Sequence, residues 1–275
     1  MNKGENTKIS TWVIDAHAHY YNCYNFGVWL QSAAKNLYSI GKGKEDVHAV
    51  ILAERSDCNS FDDIYSGRLS VNAVKTENIS DNIYKSIKVC CNSEHPFFIF
   101  PGRQISTKEN LEIIGWFLSK KIPCGEPIYD TIQQIRENGA LPVINWALGK
   151  WLFKRGKIIR TLINNEGKNP IFICDTSLRP RCVPLPSLME YASGKGITVL
   201  AGSDALPFKS EETITGSYAS VLEGYFDENN PAKSLSDILL ASKITVRNKG
   251  NRRSLFSVLI SLIRLKLKRA ILSEV

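Results

Sequence analysis

The stretch VIDAHAHYYN, residues 13–22, holds two of the chain's four histidines, one residue apart at the end of an apolar run. Side chains alternate across a β-strand, so we expect Asp15, His17 and His19 to face the same side. Two imidazoles about 6–7 Å apart along one face are able to bind a single metal ion. Asp15 is then expected to orient a ligating histidine. A pair of hydrogen-bonded structural histidines is the alternative, and this motif alone does not decide between the two.

Short apolar runs like the one that precedes Asp15 recur along the chain. They lie at 11–17, 48–54, 97–102, 111–117, 141–147, 171–175 and 197–203. Their β-branched and aromatic residues are typical of strands buried on both faces. Helices are predicted between them, at 26–38, 61–68, 128–138, 150–165 and 186–194. This alternation predicts a parallel α/β fold, and seven or eight units over about 205 residues favour a closed, TIM-like β/α barrel.

The C-terminal ends of the strands are where a barrel of this kind places its site. The last apolar run ends in GSDALP, residues 202–207, which puts Asp204 on a tight turn. This turn becomes a neighbour of the first strand when the barrel closes. The sequence therefore predicts a metal site that combines His17 and His19 with Asp204, while a turn or helix cap is the alternative role of Asp204.

Four motifs resemble the PHP (polymerase and histidinol phosphatase) family, a group of metal-dependent phosphoesterases with a distorted β/α barrel. The motifs are DAHAH at 15–19, FPGRQIST at 100–107, LEIIGWF at 111–117 and GSDALP at 202–207. The amidohydrolase barrels are more distantly similar. The resemblance covers residues 11 to about 210. It implies a distorted barrel that binds a divalent metal and hydrolyses a phosphoester.

Several positions depart from the PHP pattern. Gln104 stands where the family has Glu, Glu112 where it has His, and Leu206 where the closing motif has a second His. The second strand carries Glu54 and Arg55 where Asp and His are usual. These departures leave too few imidazoles for the three-metal cluster of the family.

Carried over position by position, the resemblance implies a reduced set of metal ligands. The surviving ligands are His17, His19 and Asp204, with Glu54 and Glu112 as oxygen substitutes. Such a set suits one or two divalent ions, and its oxygen-rich character is compatible with Zn, Mn or Fe.

Further polar residues near the predicted strand ends are expected to act on the substrate. The candidate catalytic groups are Asp15, Asp175 and Gln104. Asp175 is alternatively a metal ligand or an arginine partner. The candidate substrate-binding groups are Arg103, Lys150 and Arg179, because cationic side chains, and above all arginine forks, match phosphate or carboxylate.

The net charge of +8 belongs to the C-terminal segment. Residues 243–275 carry nine Lys or Arg and one acidic residue, whereas residues 1–242 carry 26 charges of each sign. A neutral body argues against nucleic-acid binding, so the sequence predicts a small anionic substrate and no nucleic-acid partner.

The basic segment predicts a helix with one polar stripe. The stripe consists of Ser254, Ser257, Ser261, Arg264 and Lys268, and the rest of the surface is largely apolar. We expect a barrel domain at 1–240 and a basic amphipathic helical tail at 241–275. Residues 252–272 are expected to contact the barrel, another subunit or an anionic membrane surface.

Seven cysteines without a C-x-x-C pair predict reduced thiols and a cytoplasmic protein, membrane-peripheral if the tail binds a bilayer. Three functions stay open. The first is a metal-dependent hydrolase, as a phosphoesterase acting on a small anionic substrate. The second is a catalytically impaired barrel that binds an anionic ligand or partner, because family ligands are missing. The third is amidohydrolase-type hydrolysis of a C–N bond, which is disfavoured because no later strand offers the histidine pair of that class.

Overall fold

The computed structural model describes residues 8–43, 45–80, 83–91, 95–165, 170–241 and 244–273, with side chains up to residue 268. The strands in these ranges are β1 (Lys8–Ala18), β2 (Val47–Glu54), β3 (Val74–Ser80), β4 (Lys85–Cys91), β5 (Phe97–Ser106), β6 (Glu112–Trp116), β7 (Leu141–Asn145), β8 (Phe172–Thr176), β9 (Val199–Gly202), β10 (Tyr218–Phe226) and β11 (Arg247–Gly250). The helices are α1 (Phe26–Gly41), α2 (Ser60–Tyr65), α3 (Ile128–Glu137), α4 (Phe153–Asn165), α5 (Ser187–Gly194), α6 (Pro231–Leu240) and α7 (Leu255–Ser273), with a 3₁₀ turn at Lys209–Glu211.

A nearly closed, barrel-like sheet forms the body of the molecule. Its hydrogen-bonded path runs β11-β10-β1-β2-β5-β6-β7-β8-β9, and the β3–β4 hairpin extends it beside β5. The free end of the path, β9, returns to β1, where the backbone N–H of Asp204 donates to the carbonyl oxygen of His17 at 2.8 Å. The first and last motifs of the chain therefore lie side by side.

The expectation of a parallel barrel is correct only in part. β1, β2 and β5 are parallel neighbours, as are β7, β8 and β9, but β6 runs antiparallel to both β5 and β7. The reason is the short connection from Ser106 to Glu112, since a parallel crossover needs a dozen or more residues. β10 likewise runs antiparallel to β1.

The antiparallel direction of β6 matters for the site. Glu112 is the first residue of β6, and it pairs with Ser106 at the C-terminal end of β5. In a parallel strand this glutamate would lie at the opposite end of the sheet. The hairpin instead brings it to the same end as the histidines of β1.

Large apolar side chains from several strands pack inside the sheet. Trp12, Ile51, Phe100, Ile114 and Phe172, from five different strands, belong to one buried cluster. Leu235 and Leu239 of α6 belong to the same cluster, so this helix covers part of the barrel core. A second buried cluster joins α1 to the outer face of β1, β2 and β5.

The C-terminal segment adds a strand and a helix to this body. β11 pairs with β10, and α7 follows it. α7 lies with part of its polar stripe toward the barrel, because Ser261 is buried together with the neighbouring Val258. Its outer face exposes apolar side chains, with Phe256 75% and Ile263 59% accessible. Among the helices of the described residues, none combines the length and apolarity needed to span a bilayer.

Candidate metal centre

Three side chains converge at the C-terminal end of β1. The Nε2 atoms of His17 and His19 are 2.9 Å apart, and Oδ1 of Asp204 lies 3.6 Å and 3.5 Å from them. Ligand atoms about 2.0–2.2 Å from a tetrahedral ion are separated by roughly 3.4 Å. Within the described residues this is the group of His, Cys, Asp and Glu side chains with the spacing of a metal site.

The hydrogen bond of the His17 ring indicates what the cluster is suited to bind. Its Nδ1 lies 3.0 Å from Oδ1 of Asn145, an acceptor, and this contact favours the tautomer with the proton on Nδ1 and the lone pair of Nε2 directed into the cluster. That lone pair faces His19 Nε2, the Asp204 carboxylate and, at 3.2 Å, the amide oxygen of Gln104. Lone pairs that point at one another repel, and a cation placed between them replaces this repulsion with attraction.

A chain of polar side chains fixes this orientation of His17. The Nδ2 of Asn145 donates to Oε2 of Glu112 at 3.2 Å, which turns the amide oxygen toward His17. Lys150 Nζ donates in turn to Oε1 of Glu112 at 2.6 Å, and the Trp151 indole N–H donates to the Asn145 carbonyl at 3.1 Å. Such outer contacts set the tautomer and direction of a ligating imidazole.

Asp204 reaches the histidines because the backbone around it is unusual. A Cβ on Gly202 would lie 2.4 Å from the Cβ of His17, so only glycine lets β9 approach β1 this closely. Asp204 itself has φ of +47°, in the left-handed region that aspartate tolerates better than most residues. The hydrogen bond from its N–H to the His17 carbonyl holds that conformation.

The electrostatics of the cluster match its proposed role. Burial raises the pKa of Asp204, but the His17 and His19 imidazoles beside it lower the pKa more, so it falls below its usual value. Burial lowers the pKa of His19, although Asp204 opposes this change. The pair is thus an ionised carboxylate beside a neutral imidazole, which is the form in which both bind metals.

Asp15 is buried but does not touch either imidazole. Its Oδ1 accepts from the backbone N–H of His17 at 3.1 Å and of Ser203 at 2.9 Å, and its Oδ2 accepts from Gly216 N–H at 2.8 Å. Burial raises the pKa of Asp15, while these donors lower it. The carboxylate therefore ties β1 to the turns after β9 and before β10, rather than orienting a histidine ring as the sequence predicted.

Two predicted site residues form an ion pair away from the cluster. Glu54 Oε2 lies 3.3 Å from the Arg103 guanidinium, and both side chains are buried. Arg103 also donates to the carbonyls of Cys58 and Ser119 and to the side chain of Asn59. The donors of Arg103 are thus used within the protein, and neither residue lines the cleft beside the histidines.

Asp175 and Arg179 form a second such pair. The guanidinium donates to both carboxylate oxygens at 2.8 Å and 2.6 Å, and the Tyr218 hydroxyl donates to Oδ2 at 2.7 Å. Burial lowers the pKa of Arg179, but Asp175 raises it by more. Asp175 is therefore an arginine partner, one of the roles the sequence left open, and the structure does not bring Arg179 to the metal ligands.

A cleft with a cavity volume of about 170 Å³, open to solvent, lies beside the cluster. His19 and Asp204 line it, and its other polar residues are Tyr21, Arg55, Gln104, Glu112 and Lys150. The structure thus brings three further predicted residues, Gln104, Glu112 and Lys150, to the same cleft. Opposite charges line it, because Glu112 pairs with Lys150.

The other lining residues of the cleft are apolar, and we call them together the apolar wall. It consists of Ala147 together with Leu148, Leu178, Leu206, Pro207, Leu262 and Leu265. The last two belong to α7, so the C-terminal segment contributes directly to the cleft.

Sequence reasoning missed several residues of this cleft. Asn145 closes β7 and was detectable by the same strand-end rule that identified Asp204. Arg55 follows β2 and was noted only as a departure from the PHP pattern. Leu262 and Leu265 had no detectable signal, because nothing local in a helical segment tells where it docks.

Comparisons with known proteins extend the description of the fold. No protein-family model matches the sequence, and no curated protein is significantly similar to it. The crystal structure of PsfC from Pseudomonas syringae PB-5123 is similar with a TM-score of 0.58 and 12% identity, over 93% of this chain and 98% of that one. The lesion-specific endonuclease PfuEndoQ from Pyrococcus furiosus is similar with a TM-score of 0.50 and 13% identity, over 88% of this chain.

This chain spans 59% of the length of PfuEndoQ. An Endonuclease Q complex with a 27-mer duplex substrate that has an abasic lesion at the active site matches with a TM-score of 0.48, 13% identity, and coverage of 84% of this chain and 56% of that one. The likenesses to PsfC and PfuEndoQ show a shared barrel-like fold. They also correct one expectation. The exclusion of nucleic acid as a partner is wrong, because the fold is shared with the endonuclease PfuEndoQ and a neutral body does not rule out such a substrate.

Proposed function

We propose that the chain is a metal-dependent phosphoesterase of the PHP type, with a single divalent ion. The observation that carries the proposal is the cluster of His17, His19 and Asp204, whose donor atoms lie 2.9–3.6 Å apart with their electron pairs converging. The resemblance of the four sequence motifs and the barrel-like fold support it. The nitrogen and oxygen donors are compatible with Zn, Mn or Fe.

Each side chain of the cleft has a role in this proposal. His17, His19 and Asp204 would hold the ion, with the Gln104 amide as a further oxygen donor. A divalent ion bound there would lower the pKa of a water molecule and would neutralise charge on a phosphoryl oxygen. Lys150 and Arg55 bind the remaining phosphate oxygens, since both are cationic residues of the cleft.

Glu112 is the proton acceptor in the cleft. It already accepts from Asn145 and Lys150, so its carboxylate is held in a fixed direction. In the net reaction, water attacks phosphorus, the bond from phosphorus to the alcohol oxygen breaks, and the alcohol leaves with one proton of the water. Glu112 accepts this proton from the water and then transfers it to the leaving alcohol oxygen. Phosphomonoesters and phosphodiesters, including those of nucleic acids, belong to the same chemistry.

The first experiment measures metal content by plasma mass spectrometry after loading with Mn or Zn and removal of excess metal. We expect about one ion per chain in the wild type and in His95→Ala, since His95 stacks on Tyr38 outside the cleft. We expect a loss of bound metal in His17→Ala/His19→Ala. No retained metal in the wild type after reloading contradicts the proposal.

The second experiment tests turnover. The loaded protein is assayed on p-nitrophenyl phosphate, on bis(p-nitrophenyl) phosphate, and on single-stranded and duplex DNA with and without an abasic site. Hydrolysis that depends on His17 and His19 supports the proposal, and the substrate preference assigns the ester class. Metal binding without hydrolysis of any of these esters overturns phosphoesterase activity and favours the binding barrel instead.

A further inference from the structure

The lining of the cleft combines two kinds of side chain. His19, Asp204, Arg55 and Lys150 are polar or charged, whereas seven further lining residues, those of the apolar wall, are apolar. Leucines that border a charged site are poorly solvated, and a ligand that covers them gains free energy from apolar burial. A phosphate ester of a sugar or glycerol would leave this wall in contact with water. The pattern therefore favours a ligand that is anionic at one end and apolar at the other.

Part of the apolar wall comes from α7, which is fixed to the barrel at its start. The Arg253 guanidinium donates to both carboxylate oxygens of Glu211, at 2.6 Å and 2.8 Å. Glu211 also accepts from Leu206 N–H at 2.8 Å, so the ion pair extends to the loop that follows Asp204. The backbone N–H of Arg253 donates to the Ser177 carbonyl at 3.0 Å, which attaches the same segment to the loop after β8.

α7 is held again two to four turns later. The Arg264 guanidinium lies 4.5 Å from the centre of the Phe208 ring, and Lys268 Nζ donates to the Pro207 carbonyl at 3.0 Å. These contacts bracket Leu262 and Leu265 between two attachment points. The two leucines are thereby held at the cleft rather than at the outer face of the helix.

We infer that α7 is the specificity element of the site, and that the substrate is a small phosphate ester whose alcohol carries an apolar chain or ring. The inference rests on the proposed phosphoesterase function for the reaction, and on the cleft walls for the substrate class. Leu262 and Leu265 contact the apolar group, while the phosphate faces Lys150, Arg55 and the metal ligands. Hydrolysis yields the apolar alcohol and inorganic phosphate, with the atoms of one water divided between them.

The activity test compares n-hexyl phosphate with ethyl phosphate, because both leaving groups are simple alkyl alcohols. Each buried methylene contributes about fourfold in affinity, so we expect kcat/KM for the hexyl ester to be higher by roughly tenfold or more. Leu262→Asn and Leu265→Asn should remove most of this preference, measured as the ratio of kcat/KM for the two esters in the same variant. Leu259→Asn, on the exposed outer face of α7, is the matched control and should keep the preference.

A binding measurement separates the two proposals. Isothermal titration calorimetry measures the affinities of n-hexylphosphonate and ethylphosphonate. Neither compound is hydrolysed, so the difference between them gives the contribution of the apolar wall to binding in the absence of turnover. Turnover of both esters with no chain-length preference overturns the specificity role of α7 and leaves the phosphoesterase in place. A further outcome is that the hexylphosphonate binds more tightly, in a way that depends on Leu262 and Leu265, while no ester is hydrolysed. That result supports recognition of an apolar group by α7 and contradicts the phosphoesterase activity. Equal binding of both phosphonates by the wild type overturns the inference.

Discussion

At the scale of single residues, the orientation of the His17 ring depends on Asn145, a neighbour that is not itself a candidate metal ligand. Asn145 accepts from His17 Nδ1 and is turned by Glu112, so one amide decides which ring nitrogen is available. Asn145 is the last residue of β7, and its contact with His17 is the one expected of a residue that orients a metal ligand without being one.

Replacement of Asn145 by alanine removes the acceptor of the Nδ1 proton, so the His17 ring is no longer held in one tautomer. We expect the dissociation constant for Zn or Mn to rise by about 10- to 100-fold. Competition with a fluorescent chelator measures this change. Asn138→Ala, at the exposed end of α3, is the control and should stay within about twofold of wild type. Unchanged affinity in Asn145→Ala would show that the amide has no orienting role.

His48 shows that a buried histidine is not by itself a ligand. It is 3% exposed, and its Nε2 has no hydrogen-bond partner among the described residues. Burial lowers its pKa to about 4, although Asp46 nearby raises it. Because the unfolded chain takes up this proton near pH 6.5 and the folded chain only near pH 4, acid favours the unfolded state.

The consequence is a stability loss between about pH 6.5 and 4, worth as much as about 3 kcal/mol from this residue. His48→Leu removes the titrating group, so its free energy of unfolding should fall less over the same interval. Urea unfolding at several pH values measures both chains. Parallel pH profiles for the two proteins would show that His48 is not responsible.

At the scale of elements, the sequence predicts the strands and helices that form continuous apolar or amphipathic runs. All seven predicted strands correspond to observed strands, and all five predicted helices to observed helices, since each is an apolar or amphipathic run. Five of the described strands and helices were not predicted. β3 was missed because VKTENIS is polar and largely exposed, and β11 because RNKG is exposed throughout. β4, β10 and α6 were missed as well, although each buries several side chains. Strand direction was mispredicted at β6, where loop length rather than strand composition decides.

The buried ion pair between Arg253 and Glu211 is the element-scale contact that attaches α7. Both side chains are about nine-tenths buried. Removing one partner leaves a buried charge, so Arg253→Met should cost about 3 kcal/mol of unfolding free energy. Arg253→Met/Glu211→Leu should recover much of this loss, because no unpaired charge remains.

Hydrogen exchange measured by mass spectrometry tests the attachment directly. We expect the amides of residues 255–262 to exchange faster in Arg253→Met. Arg68→Met, which removes an exposed ion pair with Asp63, should cost less than about 1 kcal/mol and leave α7 protected. Unchanged exchange in α7 would show that the helix is held without this pair.

At the scale of the whole molecule, the candidate site exists because β9, one end of the sheet path, returns to β1. The ligands come from β1 and from the turn after β9, which are more than 180 residues apart in sequence. The sequence predicted this meeting only through the assumption of a closed barrel. It did not predict how β9 is joined to β1, because the contact consists of the hydrogen bond from Asp204 N–H to the His17 carbonyl and of backbone N–H groups bound to the Asp15 carboxylate, rather than of a strand ladder.

Asp15 provides one part of this contact, and its isosteric replacement tests that part. Its Oδ2 accepts from Gly216 N–H, and its Oδ1 accepts from Ser203 N–H. In Asp15→Asn, one of these N–H groups faces an amide nitrogen, so a buried donor loses its partner. We expect a loss of about 1–3 kcal/mol in the free energy of unfolding, measured by urea denaturation.

The same substitution should weaken metal binding without touching a ligand, because the turn that carries Asp204 begins at Ser203. Asp237→Asn, on the exposed surface of α6, is the matched control and should change stability by less than about 0.5 kcal/mol. Lower stability with unchanged metal affinity would mean that the His17–Asp204 backbone hydrogen bond alone closes the site. Lower values of both would establish that closure of the sheet and assembly of the metal centre depend on the same buried carboxylate.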